Sequence, residues 1–431
     1  MMRVLWCLNG AIGRLAQIMG KPGAQSGGWI DAQLAELERN NDVKLGVAAT
    51  LNLNETKRAS ENNVDYYGLA GKALRPGAHL DEVALESWRR AIEEFKPDVL
   101  HFWGTEVNLA LDLEKIVPSV PKVVTTQGVL RSLAQLWQCD KDESISKREL
   151  KNALSFPERG VYYLNGRRVA TQMRTQAACE EQIVKTCDLM IVDPMDVWAE
   201  SFMRASCEDV EFERVATRMN RLFRDGEPWK RENVEPYSIF CNAGDMPGKG
   251  QHTLVKALSV IRRRYPQAKL YIPGGKAVRR LGKFEFAPYR RYLEYLIAKY
   301  DLQDSVKFLG RLTAEEMAAQ LRKAHLFVLA SRAEHIPTSW REAMAVGTPC
   351  VLSQCGCVYE QVRHGEDAYM YRYGEYEVLA EYCRRIFESD EISRKFSENG
   401  KKVIERQFEN ASDDGADLVA AYRKALRKVG K

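Results

Sequence analysis

Short runs of β-branched and other apolar residues alternate with helix-length amphipathic segments along the whole 431-residue chain. In the first half, strands are predicted at 3–8, 43–49, 99–103, 122–126 and 189–193, and helices at 30–40, 81–95 and 171–186. In the second half, strands are predicted at 237–242, 269–272, 306–309, 325–330 and 350–353, and helices at 252–265, 314–323, 340–346 and 378–389. This alternation is typical of parallel sheets with helices on both faces. The two series predict an α/β protein with two doubly wound, Rossmann-like domains.

A polar stretch at 224–236, with two prolines and no apolar periodicity, marks the boundary between the two series. The predicted domains span 1–225 and 237–408, joined by a linker at 226–236 and followed by a C-terminal segment at 409–431. In open α/β sheets, ligands bind where the carboxyl ends of strands lead into helices. We therefore expect the functional residues in the loops after strands, on two domains that face each other across a cleft.

Composition narrows the class of protein. The ten cysteines contain no C-x-x-C pair, which favours a reduced cytoplasmic protein. Cys355 and Cys357 lack further ligands for a zinc set, so no metal is expected. The net charge of +5 does not indicate nucleic-acid binding. Basic residues gather at 146–174 and 276–291, and these segments are either solvated surfaces or peripheral contacts with an anionic membrane or a lipid-linked substrate.

Two loops after predicted strands have features that suit phosphate binding. Gly27 and Gly28 stand directly before a helix, where backbone N–H groups are free, although glycine before a helix is also common in plain turns. After strand 237–242, a Gly/Pro-rich loop brings Lys249 close to the next helix start. A lysine beside helix N–H groups suits a phosphate, and a surface lysine in a turn is the alternative.

Two glutamates follow the buried strand 325–330. Glu334 lies in the loop beyond its carboxyl end, where a carboxylate is either solvated or directed into a cleft. Ser339 and Glu342 fit a capping box, with Ser339 as N-cap, which gives Glu342 a structural explanation. The alternative is that both carboxylates accept hydrogen bonds from paired sugar hydroxyls, as in ribose recognition.

The order of these features resembles family 4-type retaining glycosyltransferases, which have the GT-B fold. The resemblance rests on the K-G loop, "KFLGRLTAEEM", E-x7-E, "EAMAVGTPCVLS" and a following G-x-x-x-E, and it is dense between 238 and 381. It implies that the first domain binds the acceptor, that the second binds the nucleotide-sugar, and that a helix in 409–431 packs back towards the first domain.

The same resemblance implies roles for single residues. Glu334 would face the donor sugar, and Glu342 would hold the ribose hydroxyls. Backbone N–H groups at Thr338 and Ser339 would meet the diphosphate, whose charge Lys249 would neutralise. Gly28, beside Gly27, would let the first domain approach the phosphates.

Two positions depart from the family pattern. Gly244 stands where the family usually has an arginine, and Arg311 or Arg14 could supply the missing charge. Gln127 stands where the family often has a histidine. His101 could occupy neighbouring space on the acceptor or sugar side, or could be a packed, hydrogen-bonded histidine.

The predicted function is transfer of a sugar, with retention, from a UDP- or GDP-sugar to a hydroxyl of a glycan or lipid-linked acceptor. No cofactor or metal is expected, and nucleic acid is excluded as a partner. The expected location is the cytoplasm, with membrane association on the cytoplasmic face as an open alternative. A non-catalytic GT-B subunit that partners a true transferase and a nucleotide-sugar epimerase remain open as rival functions.

Overall fold

A computed structural model of the chain describes residues 1–11, 13–21, 28–136, 142–409, 411–428 and 430. The chain divides into two units. The first contains Met1–Ala134, Gln172–Asn220 and Gln407–Lys431, and the second contains Gln135–Thr171 and Arg221–Arg406. The predicted α/β class, with two doubly wound domains, is confirmed. Segment 135–171 groups with the second unit, although it precedes the predicted boundary in the chain.

The described residues of the first unit form an eight-stranded sheet. Its strands are β1 (Met2–Leu8), β2 (Val43–Leu53), β3 (Lys57–Glu61), β4 (Val64–Ala70), β5 (Val99–Trp103), β6 (Lys122–Thr125), β7 (Leu189–Val192) and β8 (Phe212–Arg214). Their order is β3-β4-β2-β1-β5-β6-β7-β8, and all pairs are parallel except β3 with β4. The helices with residues in this unit are Gly13–Ile18, Gly28–Leu37, Glu82–Phe95, Leu109–Glu114, Leu130–Leu136, Phe156–Thr186, Ala199–Arg204, Asp390–Phe408 and Ala416–Lys428.

Side chains along β1 alternate between the two faces of the sheet, and an apolar cluster covers each face. Val4, Trp6 and Leu8 belong to one apolar cluster, and Leu5 and Cys7 belong to the other. This is the pattern expected of a central parallel strand that helices cover on both sides. The predicted strands 99–103, 122–126 and 189–193 lie beside it, so their carboxyl ends share one edge of the sheet.

The last helix, Ala416–Lys428, is part of the first unit. Its Leu418, Val419 and Tyr422 are buried in the cluster that contains Trp6. Arg218 fixes the start of this helix, because its guanidinium bonds to Asp417 at 2.8 Å and to Glu36 at 2.5 Å. A buried arginine needs such paired carboxylates to offset its desolvation.

The second unit, in its described residues, has a six-stranded parallel sheet and a separate hairpin. The strands are β9 (Glu235–Cys241), β10 (Lys269–Pro273), β11 (Arg279–Leu281), β12 (Phe284–Phe286), β13 (Val306–Gly310), β14 (Ala324–Leu329), β15 (Cys350–Ser353) and β16 (Tyr369–Tyr371). The sheet order is β13-β10-β9-β14-β15-β16, and β11 pairs with β12. The α-helices with residues in this unit are Leu130–Leu136, Lys147–Ala153, Phe156–Thr186, Arg221–Arg224, Gln251–Ile261, Pro288–Lys299, Ala314–Lys323, Thr338–Val346, Val358–Gln361, Tyr376–Glu388 and Asp390–Phe408.

Helix Phe156–Thr186 belongs to both units, since the division falls at Thr171. It begins fifteen residues before the predicted helix 171–186. None of the helices in the described ranges combines the length and the apolar character that a membrane span requires.

Candidate functional site

The loop after β9 carries Lys249. It leaves the sheet at Cys241, forms a single turn of 3-10 helix at Pro247–Lys249, and enters helix Gln251–Ile261 through Gly250. Gly250 has φ of +74°, and a Cβ added there would lie 1.9 Å from the carbonyl oxygen of Ala330. Only glycine lets this turn lie directly against the end of β14. The packing fixes the position of Lys249 beside the loop that follows β14.

Lys249 and Glu334, which the sequence singles out separately, are in contact. Lys249 Nζ donates to Glu334 Oε1 at 2.5 Å, and the same oxygen accepts a hydrogen bond from Ser331 Oγ at 2.7 Å. Ser331 in turn accepts from Asn242 Nδ2 at 3.0 Å. Both members of the ion pair are partly exposed. A cation and a carboxylate therefore stand together at the carboxyl edge of the sheet, within reach of solvent.

The loop that carries Glu334 is braced by β15 and the loop after it. Ser353 Oγ donates to the carbonyl of Ser331 at 2.7 Å, and the backbone N–H of Cys357 donates to the carbonyl of His335 at 3.0 Å. At Gly356 an added Cβ would lie 2.2 Å from the same His335 oxygen. These contacts hold the Glu334 backbone before any ligand arrives, as a preorganised site requires.

The predicted capping box at Ser339 is wrong. Helix Thr338–Val346 begins two residues earlier than the box requires, with Pro337 at the N-cap and no side-chain hydrogen bond to the first turn. Ser339 is the second helical residue, and Glu342 lies in the second turn. The structural explanation for Glu342 is thereby removed, and the first-turn N–H groups at Thr338 and Ser339 carry no side-chain cap.

Glu342 is a desolvated carboxyl group. No residue of the described ranges donates a hydrogen bond to its side chain or forms an ion pair with it, and the side chain is only partly exposed. Burial raises the pKa of Glu342 to about 7, although the neighbouring Arg341 charge opposes the rise. A carboxylate without donors is costly unless a ligand supplies them, so Glu342 is suited to accept hydrogen bonds from hydroxyl groups.

Gly244 and Arg311 lie at the same edge of the sheet. Gly244 has φ of +136°, and a Cβ added there would lie 2.6 Å from Lys249 Cγ. The Lys249 side chain thus occupies the space beside Gly244. A Cβ added to Gly275 would lie 3.4 Å from Arg311 Nε, and one added to Gly274 would lie 3.1 Å from the nitrogen of Gly244. Arg311 is exposed on this glycine-lined surface and forms no ion pair within the described ranges.

The structure favours the packed alternative for His101. The ring is buried, with Nδ1 2.7 Å from Tyr422 Oη and Nε2 2.7 Å from Thr125 Oγ1. Burial lowers the pKa of His101 to about 3, so the ring stays neutral at ordinary pH. Because both nitrogens are engaged inside the first unit, His101 is a core histidine that fixes the last helix and is not available to a substrate.

The other first-unit candidates differ in their surroundings. Gln127 is exposed at the end of β6 and donates from Nε2 to the carbonyl of Trp103 at 3.2 Å. Arg14 pairs with Glu38 at 2.7 Å and Glu61 at 3.0 Å, which makes it a poor source of free positive charge. Gly28 is the exposed first residue of its helix, and an added Cβ would meet no atom of the described residues within 4 Å. Gly27 lies outside the described residues.

Sequence reasoning missed a polar cluster at this edge of the first sheet. Asn9 follows β1 and donates from Nδ2 to Glu106 Oε2 at 2.8 Å. Burial raises the pKa of Glu106 to about 7, and Glu180, whose Oε2 accepts from Leu130 N at 2.9 Å, contributes to the rise. Glu106 could have been found by the rule that singled out Glu334, since it is a loop carboxylate just after a buried strand.

The described residues contain no group of three or more His, Cys, Asp or Glu side chains placed to hold a metal ion. The prediction that the protein uses no metal stays a prediction. The second-unit edge carries positive groups at Lys249, Arg311 and the helix start at Thr338. Together they can meet a diphosphate, while Glu334 and Glu342 can accept hydrogen bonds from hydroxyl groups.

Solved structures define the class of fold. The chain resembles sucrose-phosphate synthase from Thermosynechococcus elongatus with a TM-score of 0.68 and 16% identity, covering 99% of this chain and 100% of that one. It also resembles Alr3699/HepE from Anabaena in complex with UDP-glucose, with a TM-score of 0.59 and 17% identity, covering 100% and 99%. The fold of this chain is that of GT-B glycosyltransferases.

The family follows from the second half of the chain. Residues 224–403 match the family described as glycosyl transferases group 1. The match covers less than half of the chain, and it agrees with the resemblance read from the sequence motifs in the same region.

Curated relatives match over shorter stretches. A GDP-mannose-dependent monoacylated α-(1-6)-phosphatidylinositol monomannoside mannosyltransferase from Corynebacterium glutamicum is 30% identical over 39% of this chain and 39% of its own length. The putative colanic acid biosynthesis glycosyltransferase WcaL from Escherichia coli is 27% identical over 52% of this chain and 54% of its own. The chain spans about half or less of these relatives.

Proposed function

We propose that the protein is a retaining glycosyltransferase, which moves a sugar from a nucleoside diphosphate sugar to a hydroxyl group of a glycan or lipid-linked acceptor. The observation that carries this proposal is the second-unit edge, where Lys249 contacts Glu334 and the desolvated Glu342 follows one helical turn beyond uncapped N–H groups. Structural neighbours crystallised with UDP and UDP-glucose support a donor of this chemical class.

Each residue of the site contacts a different part of the donor in this proposal. Glu342 accepts hydrogen bonds from the ribose hydroxyls, and Glu334 accepts them from the transferred sugar. Lys249, with the N–H groups of Thr338 and Ser339, stabilises the negative charge that grows on the diphosphate as it leaves. Such stabilisation is the main electrostatic task when a diphosphate is the leaving group.

The reaction breaks the bond between the anomeric carbon and the diphosphate oxygen and forms a bond from that carbon to the acceptor oxygen. The acceptor proton passes to the leaving diphosphate, so no protein nucleophile is required. We propose that no metal takes part, because Lys249 and the helix start supply the positive charge. We also propose a cytoplasmic location in which the protein contacts an anionic membrane surface when the acceptor is lipid-linked.

The first test is a thermal-shift screen against UDP, GDP, ADP and their common sugars, with Lys249→Ala, Glu342→Ala and, as a matched control, Glu398→Ala. Glu398 is an exposed glutamate of helix Asp390–Phe408. A ligand at a hundred times its dissociation constant adds about 2.7 kcal/mol of stability. We expect one base to raise the midpoint in the wild type and the control, and a much smaller rise in the two site variants.

Product analysis separates the rival functions. Transfer of the labelled sugar with retained anomeric configuration supports the proposal, whereas formation of an altered nucleotide-sugar would indicate an epimerase. If no nucleotide shifts the midpoint, the non-catalytic subunit becomes the better explanation.

A further inference from the structure

The two basic segments of the sequence, 146–174 and 276–291, come together in the second unit. Arg291 Nε lies 3.4 Å from Glu158 Oε1, which joins the second segment to the start of helix Phe156–Thr186. Glu158 also lines one shallow surface depression together with Lys276, Val278 and Phe286, which belong to or flank hairpin β11–β12. Segments separated by more than a hundred residues therefore form one continuous surface.

The helix contributes large apolar side chains to this surface. Phe156 is 82% exposed and Leu164 is 58% exposed, and Tyr163 between them is also exposed. Their spacing of seven and eight residues places them on one side of the helix. Arg167 and Arg168 follow one turn later on the same side. Neither arginine forms an ion pair within the described ranges.

The acidic residues of the helical segment are already neutralised. Segment 146–174 contains seven basic residues and two acidic ones, so its net charge equals the +5 of the entire chain. Glu149 is held by Lys256 at 3.2 Å and Lys299 at 2.7 Å, and Glu158 is held by Arg291. The basic side chains of this segment thus present an excess of positive charge to solvent.

Hairpin β11–β12 also combines exposed apolar side chains with basic ones. Leu281 and Phe284 flank its tip and are 43% and 60% exposed, and Lys283 Nζ lies 5.6 Å from the centre of the Phe284 ring. The one acidic residue of segment 276–291, Glu285, pairs with Arg280 at 2.7 Å. Exposed bulky apolar residues beside uncompensated cations are the features of a surface that enters the lipid interface.

The hairpin stands at the functional edge of the sheet. It follows β10 after only a short loop, and within that loop the N–H of Ala277 donates to Asp245 Oδ2 at 2.7 Å. Asp245 is the neighbour of Gly244, which contacts Lys249. The surface and the proposed donor residues are therefore parts of the same edge of the second unit.

We propose that this surface, formed by the exposed side of helix Phe156–Thr186 between Phe156 and Arg168 together with the tip of hairpin β11–β12, docks on an anionic lipid bilayer. The inference deepens the proposed function, because it names the face on which a lipid-linked acceptor would be met. Charge complementarity favours anionic lipid, and exposed apolar side chains on the helix and the hairpin can insert into a bilayer without a partner of matching shape.

The test uses the full chain and vesicles of phosphatidylcholine with or without phosphatidylglycerol, measured by co-sedimentation at low and high salt. We expect binding to the anionic vesicles alone. Arg167→Gln/Arg168→Gln should weaken it about 25-fold, since each cation near the surface contributes a factor of about five. Phe156→Ser/Phe284→Ser should weaken it at least about tenfold, through lost apolar insertion.

Matched controls in the first unit keep the test specific. Val83→Ser removes an exposed apolar residue, and Lys57→Gln/Lys72→Gln removes two exposed cations. The inference is overturned if the wild type does not bind anionic vesicles, or if the controls weaken binding as much as the surface variants do. It is also overturned if a single-stranded oligonucleotide binds this surface and the vesicles do not.

Nucleotide-induced thermal shifts on the same preparations distinguish this failure from failure of the proposed function. Nucleotide binding without vesicle binding overturns only the proposal of a membrane-binding surface and leaves the proposed donor site standing. Vesicle binding that the surface variants weaken, without any nucleotide effect, supports the surface and overturns the donor site. An unchanged nucleotide shift in the surface variants shows that they are folded.

Discussion

Replacing Glu342 with glutamine should make the second unit more stable and the donor site weaker. The substitution keeps the shape of the side chain and removes its ionisation. Since burial raises the pKa of Glu342 from 4.5 to about 7, the native state retains a proton that the unfolded state has lost. The wild type therefore loses stability, relative to the glutamine variant, as pH rises from 4.5 through 7.

The size of the effect follows from the two pKa values. Between pH 5 and pH 8, the stability difference between Glu342→Gln and the wild type should grow by about 2–3 kcal/mol in favour of the variant, at 1.36 kcal/mol for each pKa unit. Urea unfolding at both pH values measures this change directly. Glu398→Gln, an exposed glutamate on helix Asp390–Phe408, should show almost none.

Donor binding should move in the opposite direction. Ribose hydroxyls need the ionised carboxylate as acceptor, so the affinity of the wild type for a nucleotide-sugar should rise with pH up to about 7 and then level off. In Glu342→Gln the affinity should be at least about tenfold lower at pH 8 and nearly independent of pH, since a charged hydrogen bond contributes about 1.5–3 kcal/mol. Calorimetric titration at several pH values tests this. A variant that binds as tightly as the wild type would refute the ribose role, and a stability difference that does not change with pH would refute the desolvation argument.

Two further predictions concern backbone and core. Gly244→Ala should destabilise the second unit by about 1–2 kcal/mol, because alanine is strained at φ of +136°. It should also weaken donor binding, because the added Cβ would displace Lys249. Gly28→Ala, the control, should leave the urea midpoint unchanged. His101→Gln should lower the denaturation midpoint at pH 7 and make its decline between pH 6.5 and 4 shallower than in the wild type. The native histidine, with its pKa of about 3, excludes a proton that the unfolded chain binds below 6.5, so its stabilisation is complete above 6.5 and is lost as pH falls. An equally steep decline in both proteins would contradict this assignment.

The strands were predictable where burial alone dictates the sequence. Strands 99–103 and 350–353 were predicted to the residue, since strands covered on both faces are continuous apolar runs. β3 was not predicted, because the exposed edge sequence K-R-A-S-E has no apolar alternation. Helix Phe156–Thr186 was predicted only in its second half. Between Tyr163 and Ala178 it buries no large side chain, so no apolar stripe identifies it.

The site was predictable as a set of loops but not as a set of contacts. Lys249 and Glu334 each follow a strand, and the order of β9 and β14 as neighbours brings them together. The capping box failed because a proline can hold the N-cap position without a side-chain hydrogen bond, which here shifts the helix start by two residues. Glu106 could have been singled out by the same rule as Glu334, but its contact with Asn9 could not, because the two residues are distant in sequence.

The charge missing at Gly244 has a geometric explanation, which assigns the replacement to Arg311. An arginine side chain at 244 would start from strained backbone and collide with Lys249, so the loop in this chain has no room for it. Arg311 approaches the same surface from the end of β13 past Gly275. We expect Arg311→Gln to weaken nucleoside diphosphate binding about tenfold or more, as loss of a charged hydrogen bond does, without a change in the urea midpoint. Lys307→Gln, an exposed cation on the same strand, is the matched control. Equal losses of affinity in both variants would indicate only a general electrostatic effect of removing a positive charge. No loss in Arg311→Gln would remove Arg311 from the site.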